Sequence, residues 1–319
     1  MKNFSRLEEI WSVRLKITDD CVWSCKFCHN EWDIGAETLV WNGDLENKFI
    51  TLREIFWIRE VHLTGWEPSL NKDIGNIISW LKKIWMDVKM TSNGQFSEET
   101  RNVIVNSWID AVNFSVQSMN PIDLQSVMKR NVSETWANEQ IERWKENIIA
   151  LYSRGIKVRI NSVLWTLEDL PRIQKIINWA IENNVEMRVL DDLNQKENAK
   201  KAIEELILRV WGKLKEIINT SGTSSKRLIY ELPNQGLFTI KQIAEVYLSG
   251  ICEECPHFEW NSCQEGFYSI RMQKNKKDGE YSIILCIQNQ NSETIIPFDD
   301  FLQSYYLKKY EHITLARWN

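Results

Sequence analysis

The 319-residue sequence predicts an α/β fold, a partial (β/α)6 barrel followed by a smaller cysteine-rich extension. Six short apolar runs alternate with amphipathic helical segments, a pattern that builds a parallel sheet with helical crossovers. Three thiols follow the first run, at the strand end where barrels place their chemistry. Four more cysteines between Cys252 and Cys286 set off the extension. The expected organisation is a core over 10–195, a helix and linker over 196–226, and a C-terminal metal-binding region over 227–319.

Composition narrows the function. A hydrophobic content of 43% fills a core, and a net charge of -5 lacks the basic footprint of a general nucleic-acid binder. No stretch reaches the roughly 18 apolar residues of a membrane span, and the charged start, Met-Lys-Asn-Phe-Ser-Arg, is no signal peptide. The expected compartment is the cytoplasm. There, cysteines that fall into two groups read as metal sites before disulfides.

Taken in order, Ser12–Thr18 alternates as a first strand and delivers the loop Cys21-Val-Trp-Ser-Cys25-Lys-Phe-Cys28. Glu60–Thr64 is a second strand, closing in the turn Gly65-Trp66-Glu67-Pro68. The segment 71–84 places Ile74, Ile77, Ile78, Leu81 and Ile84 at helical spacing, a core-facing stripe. Asp87–Thr91 is the third strand, ending in Ser92-Asn93-Gly94, and Ala111–Val116 the fourth. A helix over 133–153 stops at Gly155. On the fifth strand, Lys157–Leu164, Arg159 and Asn161 share a face because they lie two apart. A helix over 170–183 leads to the sixth strand, Glu186–Leu190. The charged segment 195–218 reads as one helix, and the loop over 219–226 as the boundary of the core.

Three thiols on one short loop, with no fourth nearby to complete a tetrahedral zinc site, suit a four-iron cluster that keeps one iron open. The Cys-x3-Cys-x2-Cys spacing resembles the signature of radical S-adenosylmethionine (radical SAM) enzymes. That resemblance implies a TIM-like partial barrel and a [4Fe-4S] cluster on Cys21, Cys25 and Cys28. S-adenosylmethionine would bind the open iron and be cleaved to a 5′-deoxyadenosyl radical, with an electron donor such as flavodoxin or ferredoxin. The turn at 65–68 is similar to the family's Gly-Gly-Glu-Pro, and Ser92-Asn93-Gly94 to its Thr-Asn-Gly. The implied cofactor-binding residues are Gly65, Trp66, Glu67, Ser92, Asn93, Ser115 and Arg159.

Within the family, the run from Asn113 to Pro121 resembles the GTP-cyclising enzymes of molybdenum-cofactor biosynthesis. Arg14 matches a substrate-side arginine there, Arg271 stands where paired arginines are expected, and Asp191 stands where that group has an acid. Cys252, Cys255, Cys263 and Cys286 suit a zinc ion or a second cluster, and the resemblance favours a second [4Fe-4S] cluster. The cyclases use three cysteines there and present an open iron to GTP, whereas four would seal the cluster. A peptide- or small-metabolite-modifying radical enzyme is therefore the first alternative to a cyclase, and Cys263 discriminates between them. A non-enzymatic electron carrier or binding protein is the second alternative, and it expects the two turns to point away from the three-cysteine loop. His29, beside Cys28, is read as a hydrogen-bonding residue, and His62 and His257 as structural.

Tryptophan, at 16 residues, outnumbers glycine at 12, the reverse of globular usage. Trp66, Trp85, Trp32, Trp57, Trp108 and Trp260 fall in turn-like contexts that favour glycine. The expectation is that the natural protein carries glycine at such positions, from UGA codons that its source reads as glycine.

Overall fold

The structure, a computed structural model, describes residues 3–5, 11–26, 28, 35–191, 196–220, 223–243, 246–248, 250–259, 263 and 266–303. His29, Trp32 and Trp260 lie outside the described residues. In chain order, β1 (Asn3–Ser5) and β2 (Ser12–Lys16) precede α1 (Gly43–Phe56), β3 (Glu60–Thr64), α2 (Ile74–Lys83) and β4 (Asp87–Ser92). Then come α3 (Glu98–Asn106), β5 (Ala111–Ser115), α4 (Pro121–Ser126), α5 (Glu134–Tyr152), β6 (Lys157–Leu164), α6 (Leu170–Glu182) and β7 (Glu186–Asp191). The remainder holds α7 (Lys196–Arg209), β8 (Lys213–Asn219), β9 (Ser225–Glu231), β10 (Leu237–Ile243), β11 (Val246–Leu248) and α8 (Pro256–Glu259). It closes with β12 (Ile270–Lys274), β13 (Tyr281–Ile284), β14 (Ile295–Pro297) and α9 (Phe298–Gln303).

Strands β2 to β7 lie side by side in sequence order, and each adjacent pair is parallel. This is the six-stranded βα core that the hydrophobic alternation predicts. On β3, Val61 and Leu63 are fully buried, whereas Glu60 and His62, on the other face, line a cavity. Ile77, Ile78 and Leu81 of α2, and Ile173, Ile176 and Ile177 of α6, which packs on β6 and β7, are all closed to solvent in the same core. Each such side chain contributes roughly 1.5–3 kcal/mol of hydrophobic stabilisation.

The sheet does not stop at the core. It has twelve strands in the order β14-β13-β12-β2-β3-β4-β5-β6-β7-β10-β9-β8. β10 adds parallel to β7, and β12 adds parallel to β2. The helix and linker expected over 196–226 hold a shorter helix and a strand: α7 ends at Arg209, and β8 pairs antiparallel with β9. The charge pattern runs on past that helix end, but Trp211 sits at φ 55°, and Gly212 N donates to Ile207 O at 2.9 Å, a helix-terminating turn. Lys213-Leu-Lys-Glu-Ile-Ile-Asn then forms a solvent-exposed edge strand.

Six described non-glycine residues have positive φ, and four are tryptophans: Trp57 at 55°, Trp85 at 63°, Trp108 at 68° and Trp211 at 55°. Each follows the last turn of a helix, where the left-handed residue is usually glycine. Their indoles stand in solvent, Trp85 with 89% of its surface exposed. Trp211 is one the sequence pattern does not single out. Among the described residues no helix is long and apolar enough to cross a membrane.

Candidate active site

The inward faces of β2 to β7 and β10 line one broad cavity that opens to solvent. Cys21, Cys25 and Cys28 stand on its wall with Trp66, Ser92, Asn93, Ser115 and Arg159. The cysteine loop is stitched to the α4–α5 connection: Lys26 N donates to Val127 O at 2.9 Å, and Lys129 N to Ser24 O at 2.7 Å. Trp23 N donates to Cys21 Sγ at 3.3 Å, and Asn93 Nδ2 approaches the same sulfur at 3.9 Å.

Burial pushes the Cys21 thiol up to about 11, with the Glu67 and Cys28 charges acting the same way. Burial also raises Cys25, to which Cys28 and Cys21 add. Thiols in this setting ionise only when a cation compensates them, as an iron cluster does. The donor set fits such a group: three cysteines on one cavity wall, N–H donors aimed at the Cys21 sulfur, and two buried polar atoms on the wall without partners, Trp23 Nε1 and Asn161 Oδ1. A single tetrahedral ion would need its sulfurs about 2.3 Å from one point. Among the described residues no group of three or more His, Cys, Asp or Glu closes on a single-ion position.

The two turns are built around close approaches. Gly65 has φ 127°, and a Cβ there would lie 2.3 Å from Thr18 O. Trp66 N and Glu67 N donate to Thr18 O and Asp20 O at 3.2 and 2.9 Å, so this turn fixes the start of the cysteine loop. Gly94 has φ 75°, and a Cβ there would meet Phe114 Cδ1 at 2.6 Å. The electron-carrier reading expects these turns to face away from Cys21; they face the same cavity.

Glu67 stands apart from the other expected cofactor-binding residues. It does not line the cavity and is only 1% exposed. Its Oε1 accepts from Ser69 N at 3.1 Å, Ser69 Oγ at 2.6 Å and Ser92 Oγ at 2.7 Å, and its Oε2 from Asn93 N at 2.6 Å. Burial raises its carboxyl against the pull of these donors. Glu67 ties the β3 turn to the β4 turn and holds Asn93 N. Arg271 also stands apart from the cavity. It pairs in register with Arg14 on β2, but it is 1% exposed, is absent from the cavity wall, and donates to Ser269 O at 3.3 Å. Packing between β2 and β13 closes over it.

Arg14, Ser115, Asn161 and Asp191 do line the cavity. Arg159 Nε donates to Glu186 Oε2 at 2.8 Å, and Arg188 Nε to Glu186 Oε1 at 2.8 Å. Burial opposes the Glu186 charge, but the two arginines outweigh it and hold that carboxyl below its usual range. His62 lines the cavity beside Thr91 Oγ1, at 2.8 Å. Asn147 is a supporting residue that the motifs do not reveal: from α5, its Nδ2 donates to Gly94 O and Phe96 O, both at 2.9 Å. Its signal was an asparagine on a buried helix face, between Trp144 and Ile148.

The second cysteine group lines a separate, much smaller pocket, with Cys252, Cys255, Cys263 and Cys286 set together with Leu248, Phe258 and Phe267. N–H donors again point at sulfur: Leu248 N to Cys252 at 3.2 Å, Gly266 N to Cys263 at 3.3 Å and Asn289 N to Cys286 at 3.4 Å. Burial pushes Cys252 up to about 12, with the Cys286, Cys263 and Cys255 charges adding. His257 also borders this cavity, and Gln288 borders both cavities.

The sequence profile described as the Radical SAM superfamily matches residues 15–180. The chain is 29% identical over 180 residues to the "Probable GTP 3',8-cyclase" of Sulfolobus acidocaldarius, covering 56% of this chain and 54% of that one. It is 28% identical over 157 residues to the GTP 3',8-cyclase of Aquifex aeolicus, covering 48% and 47%. The chain thus spans about half the length of these curated relatives. Among solved structures, Streptococcus suis SuiB bound to S-adenosylmethionine aligns with a TM-score of 0.59 at 16% identity, over 94% of this chain and 66% of that one.

Proposed function

The chain belongs to the radical SAM superfamily, and on that premise we propose that this S-adenosylmethionine-dependent enzyme abstracts a hydrogen atom from a substrate held in the barrel cavity, beside a second, fully ligated [4Fe-4S] cluster on Cys252, Cys255, Cys263 and Cys286. Cys21, Cys25 and Cys28 would hold a [4Fe-4S] cluster, which would supply the electron for reductive cleavage of S-adenosylmethionine. Arg159, with Ser115 and the unpaired Asn161 Oδ1, would orient the cofactor. Glu67 would hold the Asn93 turn in place. The substrate is a small molecule or a peptide.

One observation carries the auxiliary-cluster reading: all four C-terminal cysteines line one pocket that shares Gln288 with the barrel cavity. Four thiolates leave no iron open, which favours a peptide- or small-metabolite-modifying enzyme over direct coordination of GTP. GTP cyclisation is the second reading, favoured by the likeness of the core to curated cyclases. Anaerobic reconstitution tests both. We expect about eight irons per chain, falling to about four when Cys21, Cys25 and Cys28 become alanine, with 5′-deoxyadenosine formation lost. GTP should leave the paramagnetic resonance spectrum of the auxiliary cluster unchanged. A spectrum shifted by GTP would favour the cyclase, and stoichiometric zinc would exclude the second cluster.

A further inference from the structure

Beyond β7, the cavity wall carries a charge arrangement that the reading above leaves unused. Arg227 on β9 and Lys241 on β10 are direct cross-strand partners, and both side chains line the cavity. Like charges placed opposite each other on one sheet face destabilise it. Arg188, on the neighbouring strand, adds a third cation and feels the Arg227 charge. Lys241 stands opposite Leu190 of β7, with Asp191 the next residue along that strand and also on the cavity wall, and Glu186 further down β7 is shared by Arg159 and Arg188. Among the described residues no carboxylate pairs with Arg227 or Lys241. The Lys241 ammonium instead lies 4.4 Å from the centroid of the Tyr268 ring. In a chain of net charge -5, basic side chains outnumber acidic ones nine to five along this wall.

We propose that Arg227 and Lys241 form an oxyanion subsite that holds a phosphate or carboxylate group of the substrate. An oxyanion between them turns a like-charge contact into two charge-assisted hydrogen bonds, and the planar guanidinium suits either group. One donor of Lys241 is engaged by Tyr268, which leaves others for the ligand. The hydroxyls of Thr223 and Ser225 stand on the same wall. The subsite rests on the reading that this cavity holds the substrate, and it narrows the substrate to an anionic molecule.

The test is thermal unfolding of the reconstituted full chain with inorganic phosphate or acetate. One of these probes should raise the melting temperature, and the larger response names the class. Arg227→Gln and Lys241→Gln should each abolish the response. Arg227→Gln should also raise the anion-free melting temperature, because the like-charge contact is gone; a purely structural role for Arg227 predicts the opposite sign. Arg227→Lys should keep the response. No response in the unsubstituted protein, or a response that survives Arg227→Gln but is lost in Arg159→Gln, overturns the subsite. Substrate-free formation of 5′-deoxyadenosine is measured in the same preparations: its absence refutes the proposed function while the anion result stands, so the two failures are distinguishable.

Discussion

At Trp85 an indole stands in water on a backbone at φ 63°, a conformation that costs an L side chain about 1–2 kcal/mol and glycine nothing. The same holds at Trp57, Trp108 and Trp211. Replacing each with glycine should raise stability by about 1 kcal/mol, read as a higher denaturant midpoint at constant slope. Mass spectrometry of peptides from the natural source should find glycine there; an indole mass at Trp85 refutes the codon reading. Glu67 gives a second test at this scale. Glu67→Ala leaves the donors Ser69 N, Ser92 Oγ and Asn93 N without their acceptor, at about 1–3 kcal/mol for each orphaned group. S-adenosylmethionine affinity should fall with stability, although Glu67 does not line the cavity. Its raised carboxyl also fixes a sign: the folded state takes up that proton before the unfolded chain does, so this group's contribution to stability grows as pH falls toward the ordinary carboxylate range.

The elements of the core were legible because their signals are local. The alternation in Glu-Val-His-Leu-Thr and Lys-Val-Arg-Ile-Asn-Ser-Val-Leu reports two-sided strands directly, and the structure starts and ends both where the pattern does. Helix α1 escaped notice, since Leu45, Phe49, Leu52 and Phe56 are diluted by charge. Strand β8 was hidden inside a charge pattern that suits a helix equally well, and only the turn at Trp211 separates them. Asn147 shows the same limit at the site, because its value lies in reaching Gly94 O and Phe96 O, some fifty residues away in sequence. Asn147→Leu should therefore cost about 2–3 kcal/mol through two unpaired buried carbonyls. It should also weaken S-adenosylmethionine binding in a titration, by loosening the turn that carries Asn93. Unchanged affinity would show that α5 only packs there.

At the scale of the molecule, the chain leaves the β7 side of the sheet after β10 and re-enters beside β2 as β12. Tyr268 sits where the two sides meet, with Lys241 of β10 on its ring and Arg14 of β2 at 5.8 Å. No sequence pattern announces this, because the three residues belong to strands far apart in the chain. Burial alone would raise the phenol, but Lys241 and Arg14, with hydrogen bonds from Lys241 and Ser225, outweigh it and bring Tyr268 down to about 8. An acid depressed in the folded state contributes stability that is fully present above its unfolded value, near 10, and lost as pH falls through 8. Ultraviolet titration should show one tyrosine ionising near pH 8, absent in Tyr268→Phe. The difference in melting temperature between the two proteins should then widen in favour of the unsubstituted chain from pH 8 to pH 10. Lys241→Met should return the phenol toward its ordinary range, since the larger of its two cationic partners is gone. A midpoint that ignores Lys241 would mean that the two sides of the barrel do not meet at Tyr268 in solution.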